Sequence, residues 1–468
     1  MLRFVLAAII AFIGARSAVA AGENFVAELR QSAEKIQNVM PDCGKLMEAG
    51  DFSGANAKLL ATFPEATRTA AQSFLLGNIL FDADPKQSYA LHKAAAKAQP
   101  QNVGVLWEWG LEQHRAGEYA GALASYQTFS KAQPGWAPSY ALQADCLLRL
   151  NRIDDAVRAW RKSEAAPDGT LETMEDLVCT VHRDPAPHGR RAELLAKATK
   201  QRDVDAACEL IALDCDFPQD WWNGGPQKPY LKHDLPAVQA ALKLPADDLR
   251  NRAMACAAEC ATADHEDPAA IKAILTKHRL LTDAEQTLPT HGGLLSVILN
   301  AVTQSKAVDD AVLRQQVGPK VLELARKGKD VRVWNVAMFA GPTDKDEQLK
   351  LEREAWQTTG DARFAAGVLF LKHERGQLKG DDPDLLAALK QFPESGMIQR
   401  AAYQTALREQ KVTRALLANA ARAEFTHFSS FVAPATVVNR PRSDYLRTYF
   451  AQLLLMPPEA KPAAVPAK

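Results

Sequence analysis

Residues 103–136 read VGVLWEWGLEQHRAGEYAGALASYQTFSKAQPGW and residues 137–170 read APSYALQADCLLRLNRIDDAVRAWRKSEAAPDGT. The two are one pattern repeated at a spacing of 34 positions. Ala144 stands opposite Gly110, Asn151 opposite Gly117, Ile153 opposite Tyr119, Ala156 opposite Ala122 and Trp160 opposite Tyr126. Tyr119, Ala122, Leu123, Tyr126 and Phe129 recur at three- and four-residue steps, which places them on one face of a helix. Residues 104–116 supply a partner helix closed by Ala116 and Gly117, and Pro134 ends the second helix because it lacks a donor. Gly110 and Ala122 fall where the two helices would cross, and their small size lets the backbones approach. Neither helix buries its apolar face alone, so a further pair must stack on the first.

This pattern resembles the tetratricopeptide repeat, a helix pair of 34 residues with small residues at the crossing and aromatics filling the gaps. The resemblance implies an all-α solenoid of stacked antiparallel helix pairs. Working outward, residues 23–40 read as a helix. A repeat-like unit follows with Gly50, Phe52, Ala55 and Leu59, then another over about 69–102 with Leu76, Gly77, Ser88, His92, Ala95 and Pro100. An N-terminal array is therefore expected over 21–170.

From 171 to 330 the repeat fades into a degenerate helical region. Its expected helices lie at 171–182, 189–201, 206–213, 234–243, 246–262, 268–278, 282–287, 292–304 and 308–327. It is interrupted at 214–230 by a stretch containing Pro218, Pro226, Pro229 and Gly224-Gly225. The period returns weakly over 331–456, where Gly376, Pro393, Tyr403 and Ala415 take repeat-like places. Ser443 is expected to cap a closing helix whose apolar face is Tyr445, Leu446, Tyr449, Phe450 and Leu453 and which covers the end of the array. The Pro-, Ala- and Lys-rich tail at 457–468 lacks the composition of a packed element.

Met1-Leu2-Arg3, the apolar run from Phe4 to Ala15 and Ala18-Val19-Ala20 have the form of a cleaved export signal over 1–20. The run is short for a bilayer span, so no stable membrane anchor is expected after cleavage. The mature chain would then be periplasmic or extracellular. Lys plus Arg equals Asp plus Glu at 56 each, and this balance argues against nucleic acid as the main partner. The seven cysteines would meet an oxidising compartment. Cys208 and Cys215 could bridge if the chain turns between them, whereas Cys256 and Cys260 on one helix have poor disulfide geometry. Cys43, Cys146 and Cys179 read as small core residues.

The resemblance implies an inner groove lined by first-helix residues, which here are Trp107, Glu108, Leu111, His114, Arg115, Asp145 and Arg149. An aromatic flanked by Arg and carboxylates suits an extended peptide or a charged chain terminus. The family's carboxylate-clamp pattern of Lys, Asn and Arg is not clearly reproduced. A second candidate is the loop with Asp216, Asp220, Trp221, Trp222 and Asn223, whose indoles suit a sugar ring or serve as anchors for the loop. The loop lacks the Asp spacing and the following Glu of a calcium-binding loop.

No Cys-x-x-Cys pair, His-Glu-x-x-His helix, phosphate-cradling loop or Gly-x-Ser-x-Gly occurs, so no metal, cofactor or catalytic residue is assigned. The leading expectation is a non-enzymatic exported scaffold holding a protein or peptide in a concave groove. The alternatives are an envelope protein that binds or degrades glycans and a structural subunit of an envelope assembly. The oligomeric state is left open.

Overall fold

The computed structural model describes residues 23–48, 51–81, 84–168, 181–182, 186–216, 230–281, 287–339, 341–342, 344–426 and 442–457. The export segment, most of the Pro-rich loop and all of the tail beyond Pro457 lie outside them, as do the helical stretches expected at 171–180 and 282–286. Among the described residues the regular elements are helices, and the only β-type pairing is an isolated bridge between Trp136 and Asp168.

Most of these helices begin where a side chain accepts from the first turn. Asn102 accepts from the amides of Gly104 and Val105, Asp248 from Arg250 and Asn251, Asp267 from Ala269 and Ala270, and Asp344 from Asp346 and Glu347. Thr69 and Gln72 form a reciprocal capping box. Each such cap contributes about 1 kcal/mol by satisfying amides that have no partner within the helix.

The helices pair as the repeat demands. Val103–Arg115 packs on Tyr119–Ala132, and Ala137–Arg149 packs on Ile153–Ala165. Tyr119–Ala132 also packs on Ala137–Arg149, which stacks the two pairs. A Cβ added at Gly110 would lie 2.8 Å from the Tyr126 ring, and one at Gly77 would lie 2.7 Å from His92. These crossings are therefore closed to any larger residue.

The turn between paired helices repeats with the same spacing. Gly117 (φ 78°) and Asn151 (φ 57°) both take left-handed backbone, and so do Gly376 (φ 67°) and Gln410 (φ 58°) in the C-terminal part. Each ends its helix with equivalent bonds: Glu118 N–H reaches Gln113 O, Arg152 reaches Leu147, Gln377 reaches Lys372 and Lys411 reaches Ala406. A left-handed residue just past the helix directs these amides back onto the last free carbonyls. The 34-residue hairpin is thus present at both ends of the described chain.

The middle region is helical but not regularly repeating. Its core runs from Ala198 through Cys256, Ile298 and Trp334 to Ala402. The single helix expected at 308–327 is broken into Asp310–Val312, a wide π-type turn at Leu313–Val317, and Gly318–Lys327. Pro319 is the cause: it cannot donate to the preceding turn, and its ring pushes that turn outward. Cys208 and Cys215 lie on one continuous helix, Val204–Asp216, so the turn needed to bridge them is not made. Cys256 and Cys260 share Leu249–Thr262 and are buried.

The closing helix, Arg442–Leu455, has the expected apolar face, with Leu446, Tyr449, Phe450 and Leu453 buried and Tyr445 partly so. Together with Arg414–Thr426 it returns to the N-terminal array and packs on Ile153–Ala165 and Ala137–Arg149. Phe425 meets Trp160 edge-on at 6.1 Å. Arg414 donates to the carbonyls of Leu453 and Met456, at 2.9 and 3.0 Å, and also pairs with Asp154. The chain from Ala137 onward is closed on itself, with aromatic packing at the seam and an arginine beneath it.

Candidate functional site

The first-helix residues expected to line a groove are held mostly inside the fold. Trp107 is 2% exposed and packs on Tyr126 and Phe129 with ring centroids 5.5 and 4.8 Å away, and Leu111 lies in the same core. Arg115 lies over the Phe81 ring, 3.4 Å from its centroid, and donates to the Phe81 carbonyl. Trp107 and Leu111 are thus packed in the core, whereas Arg115 is half-buried against Phe81. The reason is steric: Val103–Arg115 packs against both Pro85–Ala98 and Tyr119–Ala132, while the C-terminal hairpin packs on the next pair, Ala137–Arg149 and Ile153–Ala165.

His114, Asp145 and Arg149 converge instead on a buried polar node. His114 Nε2 lies 2.9 Å from Asp145 Oδ2, and His182 Nε2 lies 2.7 Å from the same oxygen. Arg149 donates through Nε to Asp145 Oδ1 at 2.9 Å. Its guanidinium also reaches Thr426 Oγ1 at 2.7 Å and lies 3.9 Å from Glu394. The repeat explains the meeting: His114 ends the first helix of one pair, and Asp145 and Arg149 lie one turn apart on the first helix of the next.

Asp145 is fully buried, which opposes its charge, but Arg149, His182 and His114 outweigh that cost and hold its carboxyl well below the usual carboxylate range. Burial lowers the His114 pKa, against the pull of Asp145. On its other side, His114 Nδ1 lies 3.3 Å from the Tyr126 hydroxyl and 3.6 Å from the Cys146 thiol.

A similar buried node joins the preceding pair. The Ser88 hydroxyl lies within hydrogen-bond reach of both Glu112 Oε1 and the Gly77 carbonyl, while His92 Nδ1 lies 3.0 Å from Glu112 and Nε2 lies 3.2 Å from Asn78. The residue types are those of a nucleophilic triad, but the connectivity is not. Ser88 bonds the carboxylate directly, and all three side chains are buried. This node joins helices.

Glu108 is the one groove candidate left as a partly exposed acid. Burial and the nearby Glu112 raise its pKa to about 8, and no cation or donor is paired with it among the described residues. Of the second candidate set, Asp220, Trp221, Trp222 and Asn223 lie outside the described residues, and Asp216 is placed only as the last residue of Val204–Asp216. The neighbouring Asp214 is described: it and Asp234 flank the buried guanidinium of Arg191, which itself lies over the Tyr230 ring. Sequence reading missed His182, Thr426 and Glu394, since nothing in their local patterns points to Asp145 or Arg149.

Among the described residues no helix is long and apolar enough to cross a membrane. No family model matches the chain, and no curated protein matches it. Solved structures with some similarity include the P58(IPK) TPR domain, at 15% identity over 82% of this chain and 98% of that one, with a TM-score of 0.22. Another is Naa15/Naa10 bound to HypK-THB, at 13% identity over 96% and 72% of the two chains, with a TM-score of 0.23. The paired helices described above are what make the chain a tetratricopeptide-like α-solenoid.

Proposed function

We propose that this chain is an exported, non-enzymatic scaffold that holds a protein or peptide partner on the first-helix face of its N-terminal array. Stacked helix pairs present extended surface without a reaction centre, which suits recognition. The observation that carries the reading is Glu108. A half-buried carboxyl next to Glu112 with no cation among the described residues is a poor final state for an acid, and a partner's Lys, Arg or terminal amine would relieve it.

The partner class is therefore a peptide segment with a cationic group. Selection of displayed peptides on the mature chain tests this. Enriched sequences should carry Lys or Arg, and their affinity should fall about tenfold or more for Glu108→Gln, the loss expected for one charge-assisted contact. Enrichment without basic residues, or equal binding by the variant, would overturn the assignment.

A further inference from the structure

We propose that His114, Asp145 and His182 form a binding site for a borderline divalent cation of the zinc class. Their ligand atoms, two imidazole Nε2 and one carboxylate oxygen, all lie within 4.8 Å of one another. The two His–Asp separations, 2.9 and 2.7 Å, are hydrogen-bond distances, and spreading each by about 0.5 Å gives the roughly 3.3 Å between neighbouring tetrahedral ligands around an ion with bonds of about 2.0–2.1 Å. Two imidazoles and one carboxylate are the ligand set that borderline ions take when one position stays open.

The surroundings are arranged as outer supports of such a site. Arg149 holds Asp145 through Oδ1, leaving Oδ2 for the ion, and Glu394 lies 3.9 Å from the guanidinium to offset its charge. A ligating His114 would carry its proton on Nδ1, and the Tyr126 hydroxyl at 3.3 Å can accept it. The same hydroxyl can donate to Nδ1 when Nε2 carries the proton, so a tautomer change converts the hydrogen-bonded node into a ligand set without moving a helix. The His182 side chain is 9% exposed, which leaves an edge through which the ion and a water as fourth ligand can enter. The ion would join Val103–Arg115, Ala137–Arg149 and the segment at His182, and through Arg149 it would be coupled to Thr426 on the returning hairpin.

The full mature chain, stripped with chelator, is titrated with Zn2+ by calorimetry and with Co2+ by visible absorption. One equivalent is expected to bind. His182→Ala, which sits at the edge and should keep the fold by circular dichroism, should weaken binding about a hundredfold or abolish it, as removal of one of three ligands does. His265→Ala, which lies outside the node, should bind as the wild type does. Absence of stoichiometric uptake by the wild type would overturn the proposal. Undiminished uptake by His182→Ala, or a cobalt thiolate band placing the ion at cysteines, would also overturn it.

Discussion

Trp160 and Phe450 lie face to face, with ring centroids 4.7 Å apart and planes 8° from parallel, although one belongs to the N-terminal array and the other to the last described helix. This contact is the centre of the seam that closes the chain. Phe450→Ala should destabilise the protein by about 3–5 kcal/mol, the range for removing a large aromatic from a core. Denaturant unfolding followed by tryptophan fluorescence checks it. A loss under about 1 kcal/mol would mean that the seam contributes little to holding the fold closed.

Gly110 is closed to substitution by the ring it faces. Gly110→Ala would place a methyl 2.8 Å from Tyr126, and the ring has little room because it is itself fully buried. A loss of about 1–3 kcal/mol is expected despite the better helix propensity of alanine. Thermal melts of the variant, and of Gly110→Ala combined with Tyr126→Leu, separate crowding from propensity. The double variant should recover part of the loss.

Burial raises the pKa of Glu352 to about 7. Its carboxyl lies against Gly367, 2.6 Å from where a Cβ there would sit. With the folded value above the unfolded one, the carboxyl favours folding fully below the unfolded pKa, and that contribution is lost as pH rises through about 7. Glu352→Gln should therefore gain stability over wild type at pH 8, by up to about 3 kcal/mol, and no comparable gain at pH 4. Urea midpoints at the two pH values test the sign. A gain of equal size at both would show that ionisation is not its source.

Arg191 is 2% exposed between Asp214 and Asp234. Burial pushes the Asp214 pKa upward, against the pull of Arg191. Arg191→Met leaves two buried acids without their cation, and a loss of about 3–5 kcal/mol is expected at neutral pH. Adding Asp214→Asn and Asp234→Asn to that variant should return most of it. Failure of the triple variant to recover would indicate that the packing of the guanidinium on Tyr230 matters more than its charge.

Burial raises the Cys208 thiol to about 12, so it should resist thiolate-specific reagents in the native state and react only after unfolding. Mass spectrometry after brief alkylation, with and without denaturant, reads this directly. Native modification at Cys208 would indicate local opening of Val204–Asp216.

The 34-residue hairpin was legible because its requirements are local. Gly110, Gly117 and the aromatic at 126 each answer to neighbours within one helix pair, and Asn151 declares the second copy through tolerance of left-handed backbone. The closing helix was readable from Leu446, Tyr449, Phe450 and Leu453, but its destination was not, because an apolar face does not name the surface that covers it. His114, Asp145 and Arg149 were singled out as one surface, and they do meet. Their burial depends on His182 and Thr426, which belong to segments without a local signal for this contact. The break before Gly318 could have been read from Pro319, since a proline inside an expected helix displaces the turn before it.

The order in which a ribosome makes the chain gives the seam a temporal meaning. Trp160 is synthesised well before Phe425, Tyr449 and Phe450, so a large aromatic surface on the growing chain waits uncovered while the whole middle region is made. Until Arg442–Leu455 arrives, the Trp160 ring lacks the aromatic partners that bury it in the finished fold. Maturation of the fold thus ends with the concealment of a site that only the unfinished molecule displays.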